Sequence, residues 1–182
     1  SMGGFMIMPF TSAFLVNNVG ILQEKLPIIF FSTGIASMVI MPVVGRLSDR
    51  LDKYKIFATG SLIASVMVVI YTNLTPVPIW TVILINIILF MGIMSRMVPA
   101  TALNSAVPEP FDRGAYMSIN SSLQQMAGGL AALFAGFIVI QETKTSPLQH
   151  FNWLGYTMLG FVALTVFLVY RMSQLVKRKI AA

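Results

Sequence analysis

Six apolar stretches, at about residues 3–22, 26–44, 56–74, 78–98, 114–140 and 151–170, leave this chain few ways to fold. Each can cross ~30 Å of hydrocarbon as a helix rising 1.5 Å per residue. Helices buried in a water-soluble bundle would keep a polar face, yet Ile63 to Ile70 and Phe161 to Val169 are apolar nearly all round. Composition agrees. Only 10% of the 182 residues are charged, against about a quarter in soluble domains, and the mean hydropathy is +0.83. A soluble globule and a disordered chain are both excluded. The expected fold class is an all-α membrane protein, one six-helix transmembrane domain over residues 1–182. No basic residue precedes the first stretch and no cleavage-like site follows it, so it is expected to persist as a helix, not as a removable leader.

The net charge of +6 is not a nucleic-acid signal, because the basic residues sit at the edges of apolar stretches. With six spans, one side holds Arg46, Arg50, Lys53, Lys55, Arg96, Arg113, Arg171, Lys177, Arg178 and Lys179, and the other holds Lys25 and Lys144. This bias puts both termini in the cytoplasm, with Lys177–Lys179 anchoring the last helix at anionic headgroups. Cysteine is absent, which excludes a thiolate metal site. No metal or cofactor is expected.

Polar side chains inside the stretches are few. Asn17 and Asn18 lie on the first, Asn86 on the fourth, and Asn120, Gln124 and Gln125 on the fifth. A carboxamide in hydrocarbon leaves several hydrogen-bonding groups unmet, so each should face protein or water. Asn120 and Gln124 share a face one turn apart, with Ser121 and Gln125 beside them. The alternatives are a wet cavity lining and interhelical hydrogen bonding. Gly128, Ala132 and Gly136 form a small-residue ladder expected to admit a neighbouring helix. Arg96 is expected either to snorkel to headgroups or to serve an anionic group or helix terminus from the cavity. All six acidic residues (Glu24, Asp49, Asp52, Glu109, Asp112, Glu142) fall in loops or at helix ends, and the single histidine, His150, precedes the last stretch. The chain therefore offers no proton-binding group at membrane depth.

After the second stretch the chain reads Gly45-Arg-Leu-Ser-Asp-Arg-Leu-Asp-Lys-Tyr-Lys55. This resembles the signature of the major facilitator superfamily, glycine-x-leucine-small-aspartate-arginine-x-glycine-basic-basic, found between helices 2 and 3 of each six-helix half. Gly45, Leu47, Asp49, Arg50 and Lys53 match it. Asp52 replaces the second glycine and is expected to tolerate a left-handed turn; Tyr54 replaces a basic residue. Arg96 with Pro99, and the run Arg113-Gly-Ala-Tyr-Met-Ser-Ile-Asn-Ser-Ser-Leu-Gln-Gln125, look like the drug and arabinose efflux branch. Nearly the whole chain resembles the second half of a twelve-helix carrier.

The resemblance implies a secondary transporter of facilitator type. Two six-helix halves would tilt about a central site, with helices 1, 2, 4 and 5 of each half on the cavity and helices 3 and 6 on lipid. Asp49 would dock on a helix N-terminus of the opposite half and hold one state of the cycle. The expected partners are membrane lipid, an unidentified small solute, and a second half, supplied by a parallel homodimer or by a missing N-terminal half. Asn and Gln suit sugars and other hydroxylated solutes. Met6, Met8, Phe10 and Phe14 would suit amphipathic drugs or serve ordinary packing. The expected location is a bacterial inner membrane. An intramembrane hydrolase lacks a nucleophile–base pair, and Asn104-Ser-Ala-Val-Pro108 is not an aquaporin half-helix motif. A non-transporting assembly subunit or an inactive fragment of a carrier is the alternative to a transporter.

Overall fold

The computed structural model describes residues 2–109, 111–140, 143 and 146–181, without the side chains of 2–4 and 177–181. Lys144 and Glu142, and the side chains of Lys177, Arg178 and Lys179, therefore lie outside the described residues. Six helical rods follow one another. The first comprises α1 (Met2–Ile7), a 3-10 turn (Met8–Phe10) and α2 (Thr11–Asn17). Then come α3 (Leu26–Arg50), α4 (Lys53–Thr72), α5 (Ile79–Ala106), α6 (Arg113–Ile138) and α7 (Phe151–Ala181). The first rod breaks because Pro9 has no N–H to offer the carbonyl one turn back. The Thr11 amide bonds Met8 instead, and the Thr11 hydroxyl donates to the Ile7 carbonyl at 3.1 Å.

Several helices outrun their apolar stretches. α3 continues past residue 44, where the second apolar stretch ends, through Gly45 to Arg50, so Gly45 is an interior residue and the signature is largely helical. Glycine inside a helix costs only about 1 kcal/mol, and burial of Val44 and Ser48 flanking it favours continuation. Leu51 and Asp52 alone turn the chain. Asp52 is extended (φ −61°, ψ 119°), not left-handed; its carboxylate caps α4 by accepting the Tyr54 amide at 2.9 Å. A cap favours aspartate over glycine, which accounts for the departure from the signature. α5 likewise passes through a buried Pro99.

Among the described residues four helices are both long and apolar enough to cross a membrane: α3 with its preceding turn, α4, α5, and α7 to Val176. The 26 residues of α6 span about 39 Å, but Ser118, Asn120, Ser121, Ser122, Gln124 and Gln125 crowd into two of its turns. α6 has a span's length without a span's uniform apolarity.

The neighbour pattern repeats itself. α5 packs against α3 and α4, just as α1 packs against α6 and α7, and α4 meets α7 between them. Exchanging the first three spans for the last three maps this pattern onto itself. Three spans per unit leave the second unit inverted, so this is an inverted repeat.

The core is not central. Its buried residues include Phe14, Leu15, Met67, Tyr71, Val82, Leu89, Ala131, Ala135, Phe151 and Leu154. They lie in the portion of each helix nearest the connections 18–25, 73–78 and 139–150. There Phe14 stacks on Phe151 (centroids 4.1 Å apart) and tilts against Tyr71 (5.6 Å). Toward the opposite end, which carries Arg46, Arg50 and Lys53, α3, α4 and α5 still bury Val44, Ile56, Phe57 and Leu103. α6 stands clear: all its buried residues, Gly128, Ala131 and Ala135, fall in its second half. The body is closed at one end and splayed at the other.

Candidate functional site

The buried edge of α6 faces α1, where a Cβ on Gly128 would lie 3.0 Å from the Phe5 ring. Ala131 and Ala135 continue that edge. The ladder expected at Gly128, Ala132 and Gly136 is thus replaced by Gly128, Ala131 and Ala135, because packing followed three- and four-residue steps. Gly136 is exposed, with open space where a Cβ would go. On the rest of α6, Ser121, Gln124 and Gln125 are exposed and Asn120 is half-buried. The amide cluster lies on the portion of α6 that stands clear of the bundle.

The other expected cavity residues separate. Asn17 is half-buried near the closed end. Asn86, also half-buried, donates to its own helix at the Val82 carbonyl, 3.1 Å away. Asn18 has a different task. Its Nδ2 donates to the Leu148 carbonyl at 3.0 Å and its Oδ1 accepts the Leu148 amide at 2.8 Å. This two-point clasp holds the α6–α7 connection beside the Ile140–Gln149 bridge. Asn18 therefore belongs to the fold and not to the cavity set.

Arg96 neither snorkels nor points to the open face. Its guanidinium enters the seam of α4, α5 and α7, donating from Nη2 to the Thr165 hydroxyl at 3.1 Å and lying 5.6 Å from the Phe57 ring centre. Thr165 and Phe57 are 69 and 39 positions away in sequence, and no local pattern marks them as its neighbours.

In the signature segment, Gly45 and Lys53 are half-buried, while Leu47, Asp49 and Arg50 are exposed. Ser48 is buried, with no partner for its hydroxyl. Asp49 sits in the last turn of α3, and among the described residues no side chain pairs with it. A free carboxylate at the splayed end can receive main-chain N–H groups from outside the body.

Among the described residues no group of three His, Asp or Glu side chains is placed to hold a metal ion. The arrangement offers neutral donors and acceptors on an open face and a free acid at its rim. Such a set can bind and release a solute without covalent chemistry.

No curated protein and no solved structure matched this chain. A sequence model of the Major Facilitator Superfamily matches residues 1–180, and it accounts for the six-helix inverted-repeat body as half of that superfamily's fold. The chain belongs to the Major Facilitator Superfamily, a family of integral membrane transporters.

Proposed function

We propose that this protein moves a small, uncharged, hydroxyl-bearing solute by alternating access, with a second six-helix body closing over its amide-bearing face. One observation carries the reading: Gln124, Gln125 and Ser121 are exposed although they share a side of α6 with Gly128, which packs on α1 one turn further along, so the bundle has opened away from them. In contact with acyl chains these groups would lose their water hydrogen bonds without replacement. An aqueous cavity between two bodies keeps them solvated. The exposed surface of α3 and α6 also carries large apolar side chains, including Phe31, Met38, Met126 and Phe137, which suit contact with that second body.

Arg96 of α5 is turned away into the α4–α5–α7 seam, and no carboxylate or histidine lies at mid-helix on the open side. Amides and hydroxyls would carry recognition, which favours sugars and similar polyols over ionised solutes. The positive-inside bias makes the splayed, basic end cytoplasmic, in a bacterial inner membrane, with transport directed outward as in the efflux branch. A parallel pair of these chains supplies the second body from one sequence. Asp49 of each copy would then approach the start of the partner's α6, an interaction of up to about 2 kcal/mol when partly buried.

Proteoliposomes loaded with a panel of radiolabelled polyols, with and without a pH gradient, test the reading. Saturable flux that persists without the gradient is expected. Absence of flux for every solute under both conditions would identify an assembly subunit instead.

A further inference from the structure

The seam that receives Arg96 holds two orphaned donors. The Arg96 Nε–H is buried without a hydrogen-bond partner, and so is the hydroxyl of Ser61, a residue only 2% exposed. The helix register brings them to one level. A Cβ on Gly60 would lie 2.5 Å from Ser95 Cβ, and one on Gly92 would lie 2.8 Å from the Ala64 amide nitrogen. α4 and α5 therefore cross with residue 60 beside 95 and residue 64 beside 92, which puts Ser61 within a turn of Arg96. Phe57, under the guanidinium, precedes Ser61 by one turn on the same side of α4. Thr165 closes the third side from α7, and its hydroxyl is already spent on the Val162 carbonyl. About a turn toward the basic end, Tyr54 of α4 and Tyr170 of α7 meet edge to face at 5.2 Å and cover the seam.

Among the described residues the guanidinium meets no counter-charge. Its neighbours are a ring and a neutral hydroxyl, and among the described residues no carboxylate pairs with it. A charged side chain removed from water is strongly disfavoured unless paired, and ionisable residues within spans are partnered as a rule. The Arg96 Nε–H can only donate and the Ser61 hydroxyl is able to donate, so one acceptor between them would satisfy both; beside a cation, it should be negative. We infer that the α4–α5–α7 seam is an anion site in which Arg96 and Ser61 donate to one small anion beneath the Tyr54–Tyr170 pair. The anion is either free in the cytoplasm or the phosphate oxygen of an anionic lipid whose headgroup lies at the level of Lys53 and Arg171. The site is built from α4, α5 and α7 without any residue of α6 and does not depend on what is transported.

Thermal unfolding of the full chain in maltoside micelles, with chloride titrated into a gluconate background, tests this site. A saturable rise of about 5 °C is expected at a hundredfold excess over Kd, lost in Arg96→Met. Ser61→Ala keeps the charge and should need about tenfold more chloride. An inert response to chloride, followed by an Arg96-dependent rise when phosphatidylglycerol is added to the delipidated protein, assigns the anion to lipid. Indifference to both, or equal responses in Arg96→Met, overturns the site. If Arg96→Met does not fold, unchanged anion dependence in both Ser61→Ala and Thr165→Val overturns it equally.

Discussion

Asn18 and Gln124 are chemically near-equivalent side chains inside apolar stretches, and they end in opposite situations. The Asn18 amide is spent on both main-chain groups of Leu148, where the chain also turns through positive φ at Gly20 (φ 80°) and His150 (φ 61°). Asn18→Ala should destabilise by about 2 kcal/mol, because it orphans a main-chain donor and acceptor together. Thermal unfolding reads this directly, and a shift under about 1 °C would mean that the clasp carries no stability. Gln124→Leu removes an exposed amide that has no burial to lose, so stability should be unchanged while the flux KM rises at least about tenfold. At Asp49 the carboxylate is free to act outside its own body. Asp49→Asn should shift the balance of inward and outward accessibility several-fold, since ~1 kcal/mol moves a two-state equilibrium by about that much. Equal labelling of both faces in variant and parent would remove Asp49 from the switch.

Helix crossings decide which glycines matter. At the α4–α5 contact a Cβ on Gly92 meets the main chain of Ala64 at 2.8 and 3.1 Å, and main chain cannot rotate aside. Gly92→Ala should destabilise by about 1–3 kcal/mol, whereas Gly136→Ala, facing open space, should be neutral or slightly stabilising. Comparable losses from both substitutions would refute the crossing. The six elements were legible from apolar length alone, because a span must satisfy its main chain internally whatever its neighbours. Their ends were not. The second and fourth apolar stretches end at 44 and 98, yet α3 and α5 run on through Gly45 and Pro99, and Val44, Ser48 and Leu103 gain burial there. The amide set was legible as polar, but its division was not. Whether an asparagine meets water or a carbonyl 130 residues away is decided by packing. The same limit hid the destination of Arg96, whose partners lie on two other helices.

At the scale of the whole molecule, two inverted three-helix units close around a core at one end and splay at the end that carries the basic residues. On the proposed alternating-access reading, the closed end would move as a body and the open end would have its polar face covered and uncovered in turn. The central claim is that the amide-bearing side of α6 is wet while the outer sides of α4 and α7 are not. Because the chain contains no cysteine, a single introduced thiol reports one position without background. Gln124→Cys, Leu62→Cys and Phe167→Cys, each in proteoliposomes, would be exposed to a membrane-impermeant maleimide. The account predicts labelling of Gln124→Cys, slowed by bound solute, and protection of Leu62→Cys and Phe167→Cys. Protection of Gln124→Cys equal to that of Phe167→Cys would place the amides in lipid or in a sealed contact, and would contradict the transporter reading of this face.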